Sequence, residues 1–356
     1  MIILGLDIGG ANTKAALAQF REKDVIKSFS YIEYFPFWEK NIADVPDMLK
    51  RIIENLIIKN NYVLLEVDYV AVTITAELSD AFQTKKEGIL TILDGLIKVF
   101  EKNKLRFITN KAEFISWESA KSEFITIAAA NWASTGLFLG KVIDTCILID
   151  AGSTTIDIIP IIDSIPIPRG RDDISRLIHH ELIYTGGLRA TIPSITHHVP
   201  YKNKNVRVSF EKFALISDVH RILNNISEEE YINDTADNRS KSIEDCYARL
   251  ARVICMDLDT ISKQDLTLIA KYIYEKQLDI ITRELEEFME ELKIRHQEFQ
   301  NNPKFVLTGS SSEFLIKKPL QKLGYDNIFS YEEITNISDK ISSSAFAVAG
   351  AFHNQL

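Results

Sequence analysis

An α/β protein of two related domains facing each other across a central cleft is predicted by two stretches with one grammar. LGLDIGGANTKAAL lies near the N-terminus, and ILIDAGSTTIDIIP follows about half a chain later. Each reads as an apolar strand ending on Asp, a turn of small residues, and a second strand, which is the signature of an internal repeat. Between them, strand-length apolar runs alternate with stretches of helical period, as in a layered α/β domain. The domains are expected at residues 1–140, joined by a C-terminal segment 340–356, and at 141–339, the second with a helical insertion.

The elements follow in order. Met1 to Leu6 reads as a strand and Lys14 to Phe20 as its partner. Val45 to Lys59 places Met48, Leu49, Ile52, Ile53 and Leu56 at helical spacing. Tyr69 to Thr75 is a buried strand with Glu77 just beyond its end. A helix is expected over Glu87 to Glu101, then a short strand from Arg106 to Thr109. Cys146 to Asp150 and Ile156 to Ile161 are the strands of the second repeat. Helices are expected over Asp245 to Ile261 and, amphipathic and highly charged, over Leu266 to Glu298. Phe305 to Thr308 is a last strand, with the turn Gly309 to Glu313 after it. Ser343 to Phe352 is an alanine-rich helix expected to pack on the first domain.

Composition narrows the function. With 46% hydrophobic and 26% charged residues in 356, this is an ordinary globular chain with ample apolar surface to bury. The net charge of −9 argues against nucleic acid as a partner. No apolar run reaches membrane-span length and no leader pattern opens the chain, so a cytoplasmic protein without a membrane partner is expected. Cys146, Cys246 and Cys255 lack metal-ligand spacing and read as reduced thiols.

The two turns suggest the chemistry. Small residues at a strand end expose successive backbone N–H groups, and such a nest binds anions. Gly9, Gly10, Asn12, Thr13 and Lys14 in the first turn, and Gly152, Ser153, Thr154 and Thr155 in the second, are the candidate binding residues. Asp7, Asp150 and Asp157 would repel a bare phosphate, so a divalent cation, Mg²⁺, is expected between phosphate and carboxylate. Asp7 and Asp157 are the first candidates to hold it, with turn capping as the competing role. The loops are neither a Walker A motif nor a dinucleotide fingerprint.

LDIGGANTKAA and IDAGSTTIDIIP resemble the two phosphate motifs of the actin, sugar-kinase and Hsp70 ATPase superfamily, in the branch related to hydantoinase A and oxoprolinase. TAELSDAFQTKKEG, AANWAST, HHELIYTGGLRATIP, SDVHRILNNISEEEY, DTADNR and RLARVICMDLD are similar to stretches of the methanofuran-biosynthesis enzymes within that branch. The resemblance runs from the first strand to the last helix. It implies actin/Hsp70-like (ribonuclease H-like) domains and a host that uses methanofuran as a C1 carrier, a methanogenic archaeon or a methylotroph. It also implies a transferase. The phenol oxygen of γ-glutamyltyramine would displace diphosphate from an aminomethylfuran diphosphate and form an ether. Mg²⁺ and N–H donors would stabilise the leaving diphosphate. A phenol, with pKa about 10, needs help to lose its proton. The superfamily's glycine-rich third motif is here Gly309-Ser310-Ser311-Ser312-Glu313, so ATP is not expected as a cofactor. An ATP-dependent kinase or hydantoinase/oxoprolinase-type hydrolase is the alternative, and a non-enzymatic partner built on the fold is a third reading.

Further candidates divide between chemistry and structure. Glu77 is a catalytic candidate, as general base or as the grip on a substrate ammonium, against an ordinary strand-end carboxylate. Lys85 could meet diphosphate or a glutamyl carboxylate, and Lys86 likewise, or both could be surface lysines. Tyr184, Gly186 and Arg189 could recognise the γ-glutamyl group, Arg189 by a bidentate contact or else in a structural ion pair. Trp132, after Asn131, could stack on the furan or phenol, or belong to the core. The pairs His179-His180 and His197-His198 read as loop or surface residues. Asp234 to Arg239 reads as a polar loop, a cover for the cleft or a connection.

Overall fold

A computed structural model describes residues 1–22, 24–337 and 343–356. Residues 338–339, assigned above to the second domain, and 340–342, where the C-terminal segment was placed, lie outside the described residues. Two compact units form. One comprises Met1–Leu148, Ile159–His179 and Phe329–Leu356, and the other Ile149–Ile158 and His180–Ile328.

The first sheet contains β1 (Ile2–Gly9), β2 (Asn12–Arg21), β3 (Asp24–Tyr34), β4 (Tyr69–Thr75), β5 (Leu105–Ile108) and β6 (Phe114–Ile115), in the order β3-β2-β1-β4-β5-β6. β1 runs antiparallel to β2 and parallel to β4. Strand alternation gives it two apolar faces. Leu4, Leu6 and Ile8, with Ala15 and Leu17 of β2, pack on Met48, Leu49, Ile52, Ile89 and Leu93 from the helices Val45–Ile52 and Lys85–Leu96. The opposite face carries Ala16 against Ala345 and Phe346 of the helix Ser343–His353. Glycines let the helix approach closely: a Cβ on Gly5 of β1 would sit 2.0 Å from the Ala345 carbonyl oxygen, and one on Gly350 of the helix would meet the Phe138 ring at 2.2 Å.

The second sheet contains β7 (Cys146–Ala151), β8 (Ile156–Ile162), β9 (Ile165–Pro166) and β10 (Leu182–Ile183). After the ribbon β11 (His198–Tyr201) and β12 (Lys204–Arg207), it is completed by β13 (Phe305–Thr308) and β14 (Ile328–Ser330). Its order is β10-β8-β7-β13-β14, with β9 on β8. The 33-residue helix Lys263–Arg295 buries Leu266, Ile269, Ile273, Gln277, Ile281 and Leu285.

Beside this helix lies a buried polar cluster. Arg249 donates from Nε to Asp218 at 2.8 Å and from Nη1 to Asp237 at 3.1 Å and the Ser240 carbonyl at 3.0 Å. Asp218 also accepts from the Tyr231 hydroxyl at 2.9 Å. Asp237 takes Arg252 as a further partner at 2.8 Å, so the loop 234–239 is anchored to the helix Ile243–Arg252.

Three helices stop well short of expectation. The helix expected over Val45 to Lys59 is α-helical only to Ile52, then widens into a π-turn at Ile53–Ile57 and tightens into a 3₁₀ turn ending at left-handed Asn61. The helix expected over Glu87 to Glu101 starts at Lys85, because Thr84 caps the amide of Glu87, and stops at Leu96. The helix expected over Asp245 to Ile261 stops at Arg252. There Cys255 takes a left-handed φ of 59° and the Met256 amide bonds back to the Ala251 carbonyl at 3.1 Å, a glycine-type helix stop made without glycine. Among the described residues, none of the three cysteines forms a disulfide. Among the described residues, no helix is long and apolar enough to cross a membrane.

Candidate active site

Both repeat turns are built on one plan, each within its own unit. In the first, the carbonyls of Gly10 and Ala11 accept from the amides of Phe37 at 3.0 Å and Phe35 at 2.9 Å. In the second, the Gly152 carbonyl accepts from the Gly187 amide at 3.0 Å, that of Ser153 from Leu188 at 2.9 Å, and that of Thr154 from Gly186 at 2.8 Å. The Arg189 amide also reaches the Ser153 carbonyl at 3.2 Å. A second segment thus occupies the carbonyls of each turn. Among the described residues, no acceptor meets the amides of Gly10 and Ala11, nor those of Ser153, Thr154 and Thr155. Successive donors left open in this way suit an anion.

The straps over the turns were the part missed in the sequence. Phe35 and Phe37 carry no polar signal, and pairing between the 184–189 loop and the second turn is non-local. Gly186 is needed there, because a Cβ would lie 2.6 Å from three backbone atoms of the turn. Gly186→Ala is expected to lower unfolding stability by about 1–3 kcal/mol, the usual effect of overpacking. A denaturation midpoint equal to the parent's would contradict this packing.

Around the first turn, Asp7 is 6% exposed. Its Oδ2 accepts from Ser344 Oγ at 2.5 Å and lies 4.0 Å from Lys14 Nζ. Its Oδ1 is buried without a partner. Thr73, opposite Asp7 in the β1–β4 register, also has an unpartnered hydroxyl. Lys14 pairs with Asp7 across β2, whereas Thr13 pairs with Ile8, so strand alternation turns Thr13 to the other face. Asn12 opens β2, and a Cβ on Gly9 would lie 2.8 Å from its carbonyl oxygen.

Glu77 lies in the turn closed by the Ser79 amide on the Ala76 carbonyl at 3.0 Å. Ser79 Cβ is 3.6 Å from where a Gly10 side chain would begin, so this turn adjoins the first phosphate-type turn. Glu77 is 1% exposed and its Oε2 has no partner. Burial pushes its carboxyl up to about 7, against the pull of its own backbone amide and of Lys85, with Asp173 adding to the rise. Lys85 Nζ is 3.3 Å from Asp173 Oδ2, so the lysine considered for substrate is engaged with a carboxylate near Glu77. Asp173 has no motif around it and was not singled out.

Around the second turn, Ile156 is fully buried while Asp157, next on β8, is 9% exposed. Asp150 is half-buried, and Gly309 reaches φ 88° where a Cβ would meet Asp150 Oδ1 at 2.5 Å. Ser311, from the serine-filled third motif, donates its amide to the Ala151 carbonyl at 2.9 Å. The Oγ atoms of Ser153 and Thr154 are 3.5 Å apart. The Arg189 side chain is exposed, and its loop serves the turn through backbone amides. Trp132 is 3% exposed under the Arg176 guanidinium, 5.1 Å from the ring centroid, which is a core position. His180 bonds Glu284 at 2.8 Å and Glu287 at 3.0 Å.

Among the described residues, no group of three or more His, Cys, Asp and Glu could hold a metal alone. The donor set fits Mg²⁺ in another way, since this ion takes one or two carboxylates plus substrate phosphate. Asp7 Oδ1, buried and unpartnered, is such a carboxylate oxygen.

Residues 68–354 match the family model of the hydantoinases/oxoprolinases. Over 357 aligned residues the chain is 35% identical to the (4-{4-[2-(gamma-L-glutamylamino)ethyl]phenoxymethyl}furan-2-yl)methanamine synthase of Methanocaldococcus jannaschii, covering 100% of this chain and 99% of that one. A protein of the same name from Methanococcus vannielii is 31% identical over 222 residues, 62% of this chain and 96% of its own. A solved nucleotide-free acetone carboxylase superposes with a TM-score of 0.56 at 11% identity, over 98% of this chain and 70% of that one. This last likeness is one of fold, and it is the fold that the paired strand–turn–strand motifs predict.

Proposed function

The chain belongs to the hydantoinase/oxoprolinase family, and we propose that it forms the aryl ether of methanofuran. The phenol oxygen of γ-glutamyltyramine bonds to the methylene carbon of an aminomethylfuranylmethyl diphosphate. The bond from that carbon to the diphosphate oxygen breaks, and diphosphate departs with the electron pair. The observation that carries this reading is the match, over the full chain, to a synthase named for an ether of that kind. It favours ether formation over an ATP-dependent kinase or hydrolase of the same fold.

The residues fit the roles such a reaction needs. In the first unit the open amides of Gly10 and Ala11, and in the second those of Ser153 to Thr155, are each donors of the kind that suits a polyanionic group. Asp7 in the first unit, with its unpartnered Oδ1, and Asp157 in the second are each a candidate carboxylate for Mg²⁺, and the ion would supply charge neutralisation of a diphosphate. Lys14, beside Asp7, adds a positive charge to the first turn. Glu77 takes the phenol proton: it is buried, its free oxygen has no other partner, and its proton affinity is matched to neutral pH. We place the enzyme in the cytoplasm of an organism that uses methanofuran.

Diphosphate release by the purified protein tests the assignment. With both substrates and Mg²⁺, release should depend on γ-glutamyltyramine, and release that ignores the phenol would refute ether formation. In the same assay Asp157→Asn should cut turnover about tenfold or more with the fold intact, from loss of one electrostatic contact in the site. Parent-like turnover removes Asp157 from the mechanism.

A further inference from the structure

The strap over the second turn is tethered to the core by a saturated polar chain. Asn225 Nδ2 lies 3.1 Å from His220 Nδ1, and His220 Nε2 lies 3.0 Å from Gln277 Oε1. Gln277 Nε2 donates to Thr185 Oγ1 at 3.1 Å and to the Gly186 carbonyl at 3.0 Å. The Gly186 amide in turn donates to the Thr154 carbonyl at 2.8 Å. His220 and Gln277 are both fully buried. Because both hydrogens of the Gln277 amide have acceptors, its oxygen accepts from His220 Nε2–H, which leaves Nδ1 to accept from Asn225. Burial holds His220 neutral, with a pKa lowered to about 3. Its ring lies against Phe314 at 4.6 Å and Tyr274 at 5.5 Å, between centroids.

Core packing alone does not call for this. Apolar side chains of similar volume would fill the space without desolvating two polar groups. The chain has a direction, however, and it ends on the carbonyl of the one glycine whose absent Cβ lets the strap lie on the turn. We infer that His220 and Gln277 are positioning residues. They fix Gly186, and through it the carbonyls of the 152–155 turn, so that the amides of Ser153, Thr154 and Thr155 are held open for the diphosphate end of the substrate. This rests on the reading of that turn as an anion site. It also gives a role to the SDVHRILNN stretch, which lies outside both turns.

Inorganic pyrophosphate in Mg²⁺ buffer is the probe, with binding to the full chain measured by calorimetry and amide hydrogen exchange followed in parallel. Gln277→Met should weaken pyrophosphate binding about tenfold, the scale of orphaning buried hydrogen-bond partners. It should also speed exchange of the amides of residues 186–189 while leaving those of residues 9–12 unchanged. Adding His220→Leu should cost little more, because both residues act along one chain. Thr185→Val, a milder change at one link, should move both readouts in the same direction and serves if Gln277→Met does not fold. Unchanged affinity, additive losses, or exchange that quickens equally in both turns would overturn the tether. Failure of the parent to bind pyrophosphate would overturn the anion reading of the turn itself, and the tether with it.

Discussion

Glu77→Gln is expected to lower turnover by about 10²–10⁴-fold, the usual contribution of a positioned general base. The parent's turnover should rise with pH to a plateau, with a midpoint near 7, because burial pushes the Glu77 carboxyl to that value and only its ionised form can accept the phenol proton. The variant should lose that limb. Its stability should move the other way. The folded-state pKa lies above the ordinary value of 4.5, so the parent has its full share of stability below that pH and loses it as pH rises through about 7. A neutral glutamine escapes the loss, and Glu77→Gln should unfold at a higher temperature than the parent at pH 8 but not at pH 4. Such a trade of stability for activity marks a carboxylate kept for chemistry. Parent-like turnover at pH 8 would assign Glu77 a structural role instead.

Arg249→Met is the largest stability effect expected, about 3–5 kcal/mol. Arg249 and Asp218 are both fully buried, and Arg249 is the cationic partner of the Asp218 carboxylate. Burial pushes the Asp218 carboxyl up, and Arg249, the Leu215 amide and Tyr231 pull against it. Removing the guanidinium leaves a buried carboxylate without its counter-ion and Asp237 with Arg252 as its remaining helix partner. Urea denaturation reads the loss directly. Pairing Arg249→Met with Asp218→Asn should recover part of it, since the uncompensated charge is then gone. A single-variant loss below about 1 kcal/mol would show the pair to be dispensable.

What could be read in the sequence was local. The β1–turn–β2 and β7–turn–β8 units are legible because strand, aspartate and small-residue turn lie within about a dozen residues of one another. The helix Lys263–Arg295 is legible because its apolar period is sustained over 33 residues. The stop of the helix Ile243–Arg252 was hidden, since Cys255 carries out a left-handed turn that sequence patterns assign to glycine. The straps were hidden for a different reason. Phe35 and Phe37 look like core, and they contribute to the first turn through backbone amides that no side-chain pattern encodes. Ser344 is 337 residues from the Asp7 carboxylate it donates to. Gln277 sits at a core position of an amphipathic helix, where its polarity reads as an exception until Thr185 and Gly186 are seen beside it.

Mass spectrometry of two parallel incubations tests the central claim most directly. One contains the protein, Mg²⁺, γ-glutamyltyramine and the aminomethylfuran diphosphate. The other contains ATP and the furan alcohol in place of the diphosphate. Ether product in the first tube alone is the predicted result, with the phosphate-type turns serving a leaving group. Product or ADP in the ATP tube alone would contradict it and return the chain to the ATP-dependent members of its fold.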